Sequence, residues 1–384
     1  MKTFYELYEQ LQKERYFERL ALDPLAQFGS EQQQLLGARL MPERPVEENS
    51  YEETQVRYRT KPALDNNRYS PTQKQDNSAL IGSFRVDLGH TDTRKDLTGK
   101  EYEDIGKLLM RDGDMQAIAN VINFVDKELV QPHIIKNEIQ RWQAWLLASV
   151  TRETANGDMQ AIDYYRPDDH IVTVPGGTIA TPAGWHADGY DLFDDIEAGK
   201  EKLQALGYPL VGMYSTPYLG RVMRTNSEVI KRNGRTIPND TAPRARVTES
   251  ILSVLLEEED YTGVTLYNGG YESENGFKRY MDVEPGYDYL LMVGGTQRSY
   301  EMASEYTGAV SDPSKFTDSS IVLDNTLGYY AVGKNAGKNA SGRTIHTWMQ
   351  DRKPVGMAGE SYQTGLPVIT DPQAYYVIRV QRPA

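Results

Sequence analysis

The residues able to do chemistry are few, and their spacing says which chemistry is within reach. Five histidines are present: His90, His133, His170, His186 and His346. None stands in an HExxH or comparable arrangement, where two imidazoles on one helix face would share a zinc ion. The nearest approach to a ligand set is His170 behind Asp168 and Asp169, with His186 and Asp188 further along. The competing reading of that set is a solvated turn. Gly333-Lys334-Asn335-Ala336-Gly337-Lys338 looks at first like a phosphate loop. That loop keeps four residues between its glycines and follows its lysine with Ser or Thr to hold magnesium. Here three residues intervene, Asn339 follows Lys338, and no apolar strand leads in. No GxSxG turn raises a nucleophilic serine. The chain has no cysteine, so thiolate catalysis, a thiolate metal site and a disulfide scaffold are excluded. The acidic run Glu257-Glu258-Glu259-Asp260 closes a helical segment, where such charge is usually solvated. Paired carboxylates for glycoside hydrolysis depend on a through-space separation, so a carboxylate-dependent hydrolase stays open as an alternative. No catalytic, cofactor-binding or metal-ligating residue is assigned, and no cofactor is expected.

Composition narrows the class. The chain has 384 residues, 39% hydrophobic and 25% charged, with mean hydropathy −0.62, which suffices for two or three domains. The net charge of −13 makes it a poor ligand for phosphate backbones, since binding needs Lys and Arg to displace counterions. The opening MKTFYELYEQLQKERYFERL is charged throughout and lacks the apolar stretch of a signal peptide. No run of about eighteen apolar residues exists, so no membrane partner is expected and synthesis in a cytoplasm is the default. Tyr (26) outnumbers Phe (8), which suits half-buried contact surface or polar-tipped sheet faces.

The positioning elements follow from periodicity. Phe4, Leu7, Leu11, Phe17 and Leu20 predict an amphipathic helix at the start. Residues 42–82 are polar and punctuated by Pro42, Pro45, Pro62 and Pro71; Tyr51, Thr54, Val56 and Tyr58 fit an exposed two-stranded ribbon. So long an excursion with few core residues suggests an arm that packs on a partner. Ile118, Ile122, Val125 and Leu129 predict a long helix, with the register resuming at Ile135, Ile139, Trp142 and Leu146. Pro132 should break or kink it, and Trp142 and Trp145 read as core. Residues 151–190 read as a hairpin region containing the strand Ile171–Val174. Beyond it, Asp194, Asp195 and Glu197 suit a helix N-terminus, Gly207 its end, Leu210–Tyr214 a buried strand, and Thr216-Pro217 the capped start of another helix. A third helix is expected over Val247–Leu256, strands over Val264–Tyr267 and Tyr287–Val293, loops over 296–345, and a terminal strand pair around Asp371-Pro372.

The segment FDDIEAGKEKLQALGYPLVGMYSTPYLGRVMR, from Phe193, resembles the corresponding region of the major capsid proteins of tailed phages, in the lambda-type coat protein family. The likeness is carried by Asp194-Asp195-Ile196 before a helix, the strand Leu210–Tyr214 and the helix start Thr216-Pro217. It continues in Tyr289–Val293 with Gly294-Gly295-Thr296-Gln297, and in the closing Gly365-Leu366-Pro367-Val368-Ile369-Thr370-Asp371-Pro372. The order of elements is similar to that of the Hong Kong 97 capsid fold over nearly the whole chain. Residues 42–82 match no motif of the family closely, and 296–345 is longer and richer in Gly and Asn.

The resemblance implies an α+β, Hong Kong 97-like fold: an N-terminal arm over 1–41, an extended loop over 42–97, a peripheral domain with the spine helix over 98–186, an axial domain over 187–345, and peripheral return strands over 346–384. It implies a non-enzymatic coat subunit that assembles into pentamers and hexamers of an icosahedral phage head. The head would enclose double-stranded DNA without sequence-specific binding. Portal, scaffold and decoration or cement proteins are the implied partners, the scaffold as a separate protein. The implied location is the virion, after assembly in the host cytoplasm. Arg57, Arg59 and Lys61 on the extended loop are the expected inter-subunit contacts, meeting acidic surface next door. Lys61 and Lys74 lie on the segment that some relatives cross-link, but no acceptor pattern accompanies them. A tail-tube or decoration subunit is the competing virion role; a tail tube would be mostly sheet and lack the long helix.

Overall fold

A computed structural model of the chain describes residues 4–18, 35–46, 50–58, 79–97, 99–110, 114–153, 159–233, 247–274, 276–295, 328–335, 341–350, 356–369 and 371–384. The fold is α+β, as expected: helices lie against two mixed sheets, and three two-stranded sheets accompany them among the described residues.

A helical spine organises both sheets. It follows α3 (Gly99–Met110) and comprises α4 (Asp114–Phe124), a π-helical turn at Val125–Val130, and α5 (Gln131–Leu147). Of the break or kink expected at Pro132, the break does not occur: helix runs on through it with a π-turn just before. Pro132 sits in the first turn of α5, and the turn before it is widened, with the Gln131 N–H bonding to Asp126 O. A five-residue step shifts the carbonyl that the proline ring would strike, so the helix absorbs the residue by bulging. Ala148, left-handed at φ 53°, ends the spine. The buried face also differs from expectation. Ile135 and Ile139 are only half-buried, while His133, Asn137, Glu138 and Arg141 are buried beside Trp142 and Trp145.

The second sheet runs β7 (Ile171–Val174), β16 (Tyr375–Gln381), β12 (Tyr287–Gly294), β8 (Leu210–Ser215), β9 (Val264–Leu266). β12 is a run of buried, largely apolar residues from Tyr289 to Val293 because both its faces are covered. Leu290 and Met292 point to the helices α6 (Leu192–Ala205), α7 (Pro217–Thr225) and α9 (Glu249–Glu258). Tyr289, Leu291 and Val293 point to the spine. Local signals placed these helices well. Asp191 caps α6, accepting from Phe193 N, and Thr216 caps α7 with Pro217 at its first position. Gly207, at φ 85°, reverses the chain after α6. A short α8 (Ser227–Arg232) follows α7, capped by Asn226.

In the first sheet the long β15 (Gly356–Val368) pairs on one side with β4 (Gly89–Asp96). On the other it pairs with β14 (Thr344–Gln350) and β13 (Tyr329–Val332), and β1 (Glu43–Pro45) adds parallel to β13. The two terminal strands do not pair with each other. After the Asp371-Pro372 turn the chain crosses from β15 in this sheet to β16 in the other, tying the two together. The hairpin after the spine is β5 (Ser149–Glu153) with β6 (Met159–Asp163), and a further hairpin, β10 (Gly270–Ser273) with β11 (Gly276–Arg279), is one the sequence reading does not include although Asn275-Gly276 is a hairpin-turn dipeptide. The first helix, α1 (Phe4–Lys13), buries Phe4, Leu7, Tyr8 and Leu11 against α3, α4 and Met357 of its own chain.

The π-turn account makes a direct prediction. Pro132→Ala should change folding stability by less than about 1 kcal/mol, whereas Lys136→Pro, one turn further at an exposed site, should cost about 3 kcal/mol or more, because it removes an interior helical hydrogen bond. Denaturant midpoints of the two variants check this.

Candidate assembly surface and the polar cluster at its root

Residues 50–58 and 79–87 form the longest strand pair of the described residues that lies outside both large sheets. β2 (Ser50–Tyr58) and β3 (Ala79–Asp87) pair antiparallel from Ser50↔Asp87 to Tyr58↔Ala79, and no third strand joins them among the described residues. The ribbon leaves the body between β1 and β4. Arg57 falls on β2 opposite Leu80; Arg59 and Lys61 lie outside the described residues, as does Lys74.

The polar residues of α5 clamp both roots of this ribbon. Toward β1, buried Glu138 accepts from four donors: Gly37 N at 2.8 Å, Trp142 Nε1 at 2.9 Å, Tyr267 OH at 3.1 Å and Arg141 Nη1 at 3.4 Å. Gly37 belongs to α2 (Leu36–Leu40), which lies across the spine just before β1. Glu43 on β1 accepts from Asn137 Nδ2 at 2.9 Å, and its Oε1 stands 3.7 Å from both Arg141 Nη2 and Arg343 Nη2. Burial alone would raise the Glu43 carboxyl, but the two guanidinium charges outweigh it and hold the group below the usual carboxylate range. Arg141 also lies over the Tyr330 ring at 5.0 Å, and Tyr330 OH donates to Gln140 Oε1 at 2.7 Å. Burial, and then the Glu138 charge, push the Tyr267 phenol well up, so it stays a neutral donor.

Toward β4, the clamp is His133. Its Nε2 is 2.8 Å from Ser361 Oγ on β15 and its Nδ1 is 3.0 Å from Thr91 Oγ1 on β4. Ser361 donates to the Leu129 carbonyl in the π-turn at 2.6 Å, so it accepts from His133, which assigns the proton to Nε2. Burial first, and then the Arg343 charge, lower the His133 pKa to about 4, so the ring is neutral at pH 7. The Asp87 carbonyl at the end of β3 takes a further bond from Arg152 Nη1, at 2.8 Å.

The sequence had pointed elsewhere for polar clusters. His170 is buried with Nδ1 2.9 Å from Tyr375 O, Asp169 pairs with Lys202 at 3.1 Å, and His186 lies in a different contact, its ring 6.2 Å from that of Tyr218. No group of three or more metal-ligating side chains gathers among the described residues. Asn335, from the phosphate-loop lookalike, is buried and donates to Gly342 O, Thr344 Oγ1 and Tyr362 O. These bonds hold the residues just after β13 against β14 and β15. The α5 seam was missed because its residues are polar, and polar residues on a helix read as the solvent face. A signal was present: Asn137, Glu138 and Arg141 share a face with Trp142 and Trp145, and a helix cannot bury the tryptophans without burying part of that set.

Two predictions follow from this chemistry. A Cβ at Gly37 would stand 2.5 Å from Glu138 Oε1, so Gly37→Ala should displace the carboxylate and cost about 2 kcal/mol or more through the donors it strands; a urea midpoint reads it. For His133 the folded pKa lies below the unfolded value near 6.5, so the unfolded state binds the proton first. Its contribution is complete above about pH 6.5 and is lost as pH falls toward 4. Stability should drop by roughly 2 kcal/mol between pH 7.5 and 5 from this group, and His133→Gln should flatten that dependence.

No protein-family model and no curated protein matches the sequence. Among solved structures, the chain is similar to a phage-related protein from Bordetella bronchiseptica RB50, at 14% identity and TM-score 0.49, over 93% of this chain and 97% of the other. It is similar to a chain of Gordonia phage Cozz, at 12% identity and TM-score 0.45, over 90% and 86%, and to the capsid of Myoviridae phage XM1, at 8% identity and TM-score 0.42, over 87% and 86%. The functional reading rests on the chain's own architecture.

Proposed function

We propose that the chain is a phage major capsid protein with a Hong Kong 97-like fold, a structural subunit of an icosahedral head around double-stranded DNA. The observation that carries this reading is the β2–β3 ribbon: a nine-residue strand pair that no third strand joins among the described residues, flanked in the chain by β1 and β4, both held by side chains of α5. A monomeric enzyme has no use for such an element, whereas a shell subunit needs surface that is completed by neighbours. The order of arm, ribbon, spine helix, hairpin, α/β unit and returning strands supports the same reading, together with the sequence resemblance around Asp194–Arg224. The partners are further copies in pentamers and hexamers, with portal, scaffold and decoration or cement proteins. The site is the virion, after assembly in the host cytoplasm. The domain division at 42, 98, 187 and 346 belongs to this proposal, as does the role of Arg57, Arg59 and Lys61 as contacts with acidic surface of a neighbour.

Negative-stain electron microscopy of the protein, expressed alone and with its neighbouring gene products, should show closed polyhedral shells or rings of five and six. Monomers or dimers under every condition would refute the coat reading. In the same assay the triple charge reversal Arg57→Glu, Arg59→Glu, Lys61→Glu should lower shell yield while leaving the subunit's melting temperature unchanged; undiminished yield would remove these residues from the interface.

A further inference from the structure

The outer edge of β14 is met at its midpoint by the chain's own first helix. β14 ends the first sheet: β15 pairs along one side, and no strand pairs along the other among the described residues. Such an edge presents main-chain donors and acceptors that another strand can bind. At its midpoint stands α1. Tyr8 OH donates to the Thr347 carbonyl at 2.6 Å, and Gln12 Nε2 donates to Tyr8 OH at 2.6 Å and reaches the same carbonyl at 3.4 Å. Residues of an antiparallel edge turn their N–H and C=O to the same side. The Thr347 carbonyl meets α1, so the main-chain pair of this residue faces away from β15. The helix therefore covers the position where a further strand would begin to pair. Its apolar side chains Phe4, Leu7 and Leu11 seat it there, together with Phe17 just beyond.

We propose that α1 guards this edge, and that the partner it excludes is an extended strand of a second copy of this chain. The chain supplies such strands itself: among the described residues β2 and β3 pair with each other and with no third strand, so every copy brings strand edges of its own to every encounter. A docked helix satisfies the exposed carbonyl by a side-chain hydroxyl, which a strand cannot displace without first unseating four buried side chains. The inference concerns the free subunit and does not require the shell reading.

The test uses the full chain, under conditions where no shells form. Sedimentation velocity and the infrared band of intermolecular β-structure are recorded for the parent, for Leu7→Asp/Tyr8→Ala, and for that double variant carrying Thr347→Pro. Proline at 347 removes an outward N–H and leaves the ladder to β15 intact. The double variant should associate with a β signature, severalfold beyond the parent, and the added proline should suppress it. No association of the double variant, or association that the proline leaves unchanged, would overturn the proposal. Tyr8→Phe, which keeps the packing and loses only the hydroxyl, should speed amide exchange along β14 without unfolding α1; unchanged exchange would likewise count against the guard.

Discussion

One buried carboxylate constrains this molecule more than any other group. Glu138 is fully enclosed, and an enclosed charge is tolerable only when its lone pairs are occupied. Its donors come from an N-terminal segment (Gly37), from its own helix (Arg141, Trp142) and from the loop after β9 (Tyr267). Those segments must therefore converge, and any arrangement that separates them strands a charge. Removing one partner of such a set costs far more than the set contributes over apolar packing, so its effect is to specify geometry. The geometry specified is the crossing of α2 and β1 over the spine.

That crossing fixes where the ribbon starts. β1 holds Glu43 against Arg141 and Arg343, and β4 holds Thr91 against His133, so both strands flanking the ribbon are referred to one helix. The π-turn takes part. It accommodates Pro132 within a continuous run of helix, and the Leu129 carbonyl within it receives Ser361, the residue on which His133 rests. A straight α-helix would rotate the residues after Leu129 by a different angle and swing His133 and Asn137 off their partners. The local defect and the polar seam are two parts of one solution for placing an extended arm on a rigid body.

The two sheets meet back to back through the same helix. Trp142 packs edge-on to Trp145 at 5.1 Å and stacks on Tyr267 at 5.3 Å, and Tyr267 continues to Tyr280 and Tyr271. Tyrosine rather than phenylalanine at these places allows a ring to fill core volume while its hydroxyl serves the polar seam, as in Tyr267 to Glu138 and Tyr330 to Gln140. The high tyrosine count thus has a core explanation as well as a surface one.

What the sequence determined by itself was local. Thr216-Pro217, Asp194 and Asp195, Gly207 and the apolar strand Leu210–Ser215 declare their elements because capping, dipole and turn effects act within a few residues. The alternating ribbon at 50–58 and the long spine were legible for the same reason, and the resemblance around Asp194–Arg224 anticipated the order of elements. The tertiary structure alone decided the rest. The parallel pairing of β1 with β13, the separation of the last two strands into different sheets, and the docking of α1 on β14 join residues far apart in the chain; Tyr8 and Thr347 are 339 positions apart. The burial of His133, Asn137, Glu138 and Arg141 was hidden because a polar residue carries no mark of its destination: water and a complete set of internal partners satisfy it equally, and only the assembled fold supplies the second.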